Sequence, residues 1–216
     1  MNPRSTSRTK PQSLRVRMKE EARAAILDAA EQVLSEQGLH ATRMDDIAAQ
    51  VGVSVGTLYN YFEDRQQLLL ALLEVRARDL LALLDAELEQ SQGSPYRARL
   101  YGFLRCVLEH SQSHFRLFSV LLEEGPRHSR PKDEPAQRRY QQELARELLR
   151  RVELLCEDGL RQGALRPEDV RHYPMLLLGM VHSVLFQQFH MKQPVPVDES
   201  IAPLLRCFLD GATPRP

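Results

Sequence analysis

The chain has 216 residues, 43% hydrophobic and 27% charged, with 29 basic side chains against 29 acidic ones. That is enough apolar material for a sizeable core, and the even balance of charge excludes a protein that holds nucleic acid by bulk attraction alone. No apolar run reaches the roughly 18 residues a membrane span needs, and the first residues lack the apolar segment of a secretory signal. Cys106, Cys156 and Cys207 are widely spaced and form no C-x-x-C pair. They suit a reducing compartment, so a cytoplasmic location without a membrane partner is expected.

Residues 1–19 carry Arg4, Arg8, Lys10, Arg15, Arg17 and Lys19 and no acid, whereas residues 20–65 carry Arg23, Arg43 and Arg65 against nine acidic residues. A flexible basic arm is expected over 1–19, either a solubilising tail or a run of charge that lies along DNA. From Glu20 onward, Ile26, Ala29, Ala30, Val33 and Leu34 recur at helical spacing, and Gly38 ends that helix. Thr42 is placed to cap a second helix with Asp45 in the capping-box position. Met44, Ile47, Ala48 and Val51 form its apolar face, and Gly52 stops it. The stretch VGVSVGTLYNYF, 51–62, alternates as a strand would, yet no other segment offers a convincing partner. Ser54 is a good N-cap, and Val55, Leu58 and Phe62 share one helical face, so a third short helix is expected.

A leucine-rich helix is expected from about residue 65 to 90, followed by helices at about 95–111 and 114–123. Residues 124–135 hold three prolines and a glycine and read as a mobile loop. A long helix over about 136–162 ends at Gly163. Another runs over about 168–192, bent or restarted at Pro174, and a last one covers about 197–210. The chain is thus all-α, with an arm over 1–19, a three-helix head over 20–64 and a larger helical body over 65–212.

Residues 43–62 have the spacing of a helix-turn-helix. Ala48 is small enough for two helices to cross closely, Gly52 turns the chain, and Val53, Leu58 and Phe62 pack the second helix on the first. The second helix of such a motif enters the major groove and presents its first residues to the bases. Gly56 then lets the backbone approach DNA, and Thr57, Tyr59, Asn60 and Tyr61 find phosphates and base edges to contact. Similar segments occur in helical proteins that never touch DNA. The run of polar tips and the basic arm favour the DNA-binding reading.

The string ILDAAEQVLSEQGLHATRMDDIAAQVGVSVGTLYNYFEDRQQLLLALL, residues 26–73, resembles the TetR (tetracycline-repressor-like) family of bacterial transcriptional regulators. Its most specific part is GVSVGTLYNYF followed by a basic residue and a leucine pair. The resemblance implies an all-helical homodimer of about nine helices per chain, with an N-terminal DNA-binding head and a C-terminal body for ligand binding and dimerisation. It further implies a repressor that leaves a palindromic DNA operator when a small-molecule effector binds. By position it implies DNA contacts from Thr42 and Arg43 at the second helix, from Ser54, Val55, Gly56 and Thr57 at the start of the recognition helix, and from Tyr59, Asn60 and Tyr61. Arg65 stands where lysine is usual and brings a planar fork in place of a point charge. Arg15 and Arg17 are placed to reach an adjacent minor groove.

In the body, YPMLLLGMVHSVLFQQF, 173–189, is apolar nearly all round and should be buried on more than one side. The resemblance implies a dimer interface built from Gly179 and Ser183 on this helix and Leu204 and Phe208 on the last; the alternative is an intramolecular core. Phe103, Cys106, His110, Phe118, Leu122, Met180, His182 and Phe186 are candidates to line an effector pocket, apolar with a few polar handles, though each suits an ordinary core equally well. Such a set fits a largely apolar effector. Cys106, His110 and His114 follow one helical face, but a helix end falls at 111–113 and no fourth ligand is apparent, so no metal site and no cofactor are assigned. Two rival readings are a helical enzyme and a ligand-independent DNA-binding protein. The first lacks a phosphate loop, a nucleophile elbow or an H-E-x-x-H motif. The second would want net positive charge and has little use for so large an apolar body.

Overall fold

The computed structural model describes residues 14–38, 40–118, 134–191, 193 and 195–212, and among these every regular element is helical. In chain order they are α1 (Leu14–Gln37), α2 (Met44–Val51), α3 (Val55–Tyr59), α4 (Arg65–Gln90) and α5 (Tyr96–Ser113). A helical segment over 115–118 is α6. Then come α7 (Glu134–Arg161), a 3-10 turn (Pro167–Asp169), α8 (Tyr173–Met191) and α9 (Val197–Ala212). The expected loop at 124–135 falls mostly outside the described residues, as does most of the arm. The chain divides into two units, Met1–Leu68 and Leu69–Pro216.

In the first unit α1 packs on α2 and α2 on α3. Residues 14–19, expected as part of a flexible arm, are the first turns of α1 instead. The reason is local: LRVRMKEEAR follows Pro11 and Ser13 with hardly anything but good helix formers. Ile26, Leu27, Ala30, Val33 and Leu34 are the buried stripe of α1. The chain reverses at Gly38 (φ +78°). Thr42 does not cap α2, as the sequence led us to expect. It is buried, and its hydroxyl donates to the Gly38 carbonyl at 2.7 Å. Arg43 holds the cap position, with its backbone N–H donating to Asp46 Oδ2 at 3.2 Å, so the box carboxylate is Asp46 and not Asp45.

Gly52 closes α2 in the left-handed region (φ +79°), and the Val53 N–H reaches back to the Ala48 carbonyl. This is the glycine-terminated helix end in which a Cβ would be strained. Ser54 then caps α3, its Oγ accepting from the Thr57 N–H at 3.1 Å. The helix is shorter than expected. It ends at Tyr59, and Asn60 and Tyr61 sit in a turn. Successive aromatic and Asn residues are poor at prolonging so short a helix.

In the second unit α5 lies at the centre, packed against α7, α8 and α9. Leu100, Leu104 and Leu108 of α5, Val152 and Leu155 of α7, Leu177 of α8 and Ile201, Leu204, Leu205 and Phe208 of α9 share one apolar core with Leu84 of α4. Leu204 and Phe208 are therefore buried within their own chain; they are core rather than dimer interface, because the apolar face of α9 is turned onto α5 and α8. Gly159 sits where a Cβ would come within 2.8 Å of the Tyr96 ring, so its small size lets α7 approach α5. Two ionic links also run between helices, Arg99–Asp158 from α5 to α7 and Arg151–Asp85 from α7 to α4. Buried Arg99 meets Asp158 at 2.5 Å, and Arg151 joins Asp85 at 2.5 Å and Glu147 at 2.7 Å. Pro174 falls in the first turn of α8, where its missing N–H costs no hydrogen bond.

Candidate functional site

The head sorts the residues of 54–62 by face. Leu58 and Phe62 are fully buried, and the Arg23 guanidinium lies 5.1 Å from the Phe62 ring centroid. Ser54, Gly56, Tyr59 and Asn60 are exposed, while Val55, Thr57 and Tyr61 are half-buried. α3 thus turns a surface of hydroxyls, an amide and a bare backbone to solvent. Gly56 is not a glycine for the sake of the fold. Its φ lies outside the left-handed region, and the nearest atom a Cβ would meet is Ser54 Oγ at 3.9 Å. The protein itself has room for a side chain there.

Of the other proposed contacts, Arg15 and Arg17 are exposed on α1 and Arg43 is exposed at the start of α2. The Thr42 side chain is turned inward to Gly38 and offers nothing to a phosphate. Its backbone carbonyl instead accepts from Arg65 Nη1 at 3.1 Å. Arg65 therefore ties the start of α4 to the turn before α2. Sequence reasoning missed this tie, as it missed Gln50 donating to Gln32 across α2 and α1; residues eighteen or more apart leave no local pattern.

Seven of the eight candidate pocket residues lie among the described residues, where they fall into three groups. Phe103 and His110 are buried and Cys106 and Phe118 half-buried, all on α5 and α6. The His110 ring centroid is 4.7 Å from that of His114 and 6.5 Å from that of Phe118, and Phe118 in turn packs 6.2 Å from Phe189 of α8. Burial holds the His110 imidazolium below the usual histidine range, and His114 adds to the effect. Burial likewise pushes the Cys106 thiol up. Met180 lies elsewhere, in an open cleft of about 630 Å³ with Arg166, His172, Tyr173, Cys207 and Phe208. His182 and Phe186 are exposed on α8 and line neither this cleft nor the charged one around Asp85 and Arg99. They join Met175, Leu176, Gly179, Ser183 and His190 in one exposed stripe, with the Phe186 ring stacked between His182 and His190. Leu122 lies outside the described residues. A second cleft, of about 550 Å³, is lined largely by charged groups, among them Asp85, Glu89, Arg99, Asp158 and Arg161. Among the described residues, no three His, Cys, Asp or Glu side chains are grouped to hold a metal ion, and no helix is long and apolar enough to cross a membrane.

A capped α3 set across α2 by a glycine turn, with an uncharged polar face outward, defines a helix-turn-helix transcriptional regulator. Residues 26–72 match the model of the tetR family of bacterial regulatory proteins. The chain is similar to the HTH-type transcriptional regulator YhgD of Bacillus subtilis, 25% identical over 185 residues that cover 85% of this chain and 92% of that protein. It is also similar to the HTH-type transcriptional activator FasR of Mycolicibacterium smegmatis, 32% identical over 101 residues, 46% of each chain. Its fold matches that of the transcriptional regulator FadR of Bacillus subtilis in complex with stearoyl-CoA. That match has a TM-score of 0.70 and 19% identity, over 87% of this chain and 98% of that one.

Proposed function

We propose that this regulator is a homodimer that binds a palindromic operator and releases it, as a repressor, when a compound with a long acyl chain enters the body. The observation that carries the DNA contact is the face of α3: Leu58 and Phe62 are buried while Ser54, Gly56, Tyr59 and Asn60 stand outward with no protein partner for a Gly56 side chain. On this reading Val55, Thr57 and Tyr61 flank the base-reading residues, and Arg15, Arg17, Arg43 and Arg65 supply phosphate contacts that fix register. The dimer forms through the exposed stripe of α8 around Gly179, Ser183 and Phe186, because an apolar helix face of that length is costly to leave in water. The acyl effector is argued from the stearoyl-CoA in the complex of the FadR neighbour and from the aromatic cluster of His110, His114, Phe118 and Phe189; Phe103, Cys106 and Met180 are further lining candidates.

The experiment is selection from a random duplex library with the full-length protein at near-physiological salt. A palindrome whose half-sites lie about one helical turn, roughly 34–36 Å, apart supports a dimer reading two major grooves. Recovery of no specific sequence counts against the reading. Transcription in vitro from the recovered operator, with and without myristoyl-CoA and myristate, then separates repression from activation.

A further inference from the structure

His110 is a buried polar group that the body leaves unsatisfied. The residue is 7% exposed, and among the described residues its Nε2 has no hydrogen-bond partner. Arg151 and Arg166, which also bury an unpaired Nε, make hydrogen bonds through other nitrogens of the same fork, and Tyr96 has the Cys156 thiol beside its hydroxyl. The imidazole differs in what it can leave unpaired, since a neutral ring carries one N–H and one acceptor lone pair where a guanidinium carries only donors. The Arg76 carbonyl of α4 accepts a hydrogen bond from the ring; with Nε2 unpaired, the donor is Nδ1. That favours the Nδ1–H tautomer, whose neutral ring presents a bare lone pair at Nε2.

The surroundings are mostly apolar. His114 and Phe118 pack on the ring, and α8 reaches the cluster through Phe189. The charged or titratable groups acting on His110 from neighbouring segments are Arg76 and Asp79 of α4, themselves paired at 3.3 Å, and His114 between α5 and α6. A lone pair buried among rings is satisfied by a ligand that arrives with a proton to share. Resting on the reading of the body as the receptor for an acyl compound, we propose that His110 Nε2 receives the carboxyl end of a free fatty acid and that one proton is taken up from solvent as it binds. The fatty acid is a carboxylate in solution. In the complex one proton lies between a carboxyl oxygen and Nε2, as O–H···N or as O⁻···H–N, and in either form the uptake is one. A thioester in the same place sets acceptor against acceptor, or requires an imidazolium with no anion beside it, and burial and His114 already oppose the charged ring.

The test is titration calorimetry of the full-length protein with myristate at pH 7.5, in two buffers of different ionisation enthalpy, with myristoyl-CoA as the competing probe. The wild type is expected to take up about one proton per myristate and to bind it more tightly than the thioester, with affinity rising by up to about tenfold per pH unit as pH falls toward 6. His110→Gln and His110→Phe, the second keeping ring volume, are expected to bind myristate about tenfold or more weakly with no uptake. Zero uptake in the wild type, unchanged uptake in the two variants, or preference for myristoyl-CoA overturns the assignment and leaves the acyl reading standing. Failure of both probes to bind the wild type overturns the acyl reading and this assignment together. The wild-type uptake decides the matter even where a variant does not fold.

Discussion

At the scale of single residues, Gly56 separates the demands of the fold from those of the partner. A glycine inside a helix costs up to about 1 kcal/mol against alanine, and nothing in the chain obstructs a Cβ at this position. Gly56→Ala is therefore expected to raise the unfolding midpoint slightly while weakening operator binding, and Gly56→Arg to abolish binding with an unchanged circular dichroism spectrum. Retained operator affinity in the arginine variant would count against the docking of α3 proposed above. Asp158 makes the opposite case, a residue whose duty is internal. Burial pushes its carboxyl up, but hydrogen bonds from Arg99 and Arg161 outweigh this and hold it below the usual carboxylate range. A carboxyl held low in the fold stabilises the native state fully above its unfolded value, and that contribution is lost as pH falls through its folded value. Acid unfolding of Asp158→Asn should thus depend less on pH below about 4 than that of the wild type, and the variant should be less stable by several kcal/mol at pH 7, because a buried Arg99 loses its anion. Equal pH slopes in the two proteins would remove Asp158 from this role.

At the scale of helices, what the sequence revealed and what it hid have separate physical causes. The stripe of α1, the glycine stop after α2 and the Ser54 cap of α3 were legible because each is decided within about four residues by periodicity, a left-handed backbone or a single side-chain bond. Thr42 was misread because the same local rules cannot see that the turn after Gly38 folds it inward. Leu204 and Phe208 were misplaced for a related reason: spacing identifies the apolar face of α9 but not what covers it. His182 and Phe186 erred in the other direction. They have a pocket's composition, yet they stand on the one face of α8 that α5, α7 and α9 leave open. A charge there tests the proposed dimer. Phe186→Glu is expected to turn a dimer into a folded monomer by sedimentation, whereas Cys207→Ser on the exposed side of α9 should leave the assembly unchanged. A monomeric wild type would sink the idea. The first turns of α1 admit a third test. Replacing Arg15 and Arg17 by alanine should lower the slope of log affinity against log salt by about 0.9 for each phosphate no longer neutralised, and an unchanged slope would leave those side chains idle on DNA.

For the whole molecule, the match of residues 26–72 to the tetR family was within reach of the sequence, since the diagnostic string is contiguous. The ligand end was not. His110 meets Arg76 and Phe118 meets Phe189 across 34 and 71 residues of chain, and no spacing rule joins them. The outward face of α3, with its hydroxyls, amide and aromatic tip but no charged side chain, has a bearing on how the protein behaves among a whole genome's worth of wrong sites. Affinity for arbitrary DNA grows with the number of cations laid against phosphate, and an uncharged reading surface adds nothing to it. What that surface contributes goes to telling one sequence from another, so it widens the margin between an operator and the competing sites. The two duties can then be tuned apart: a change among the arginines alters how tightly any DNA is held, and a change on α3 alters which DNA is chosen.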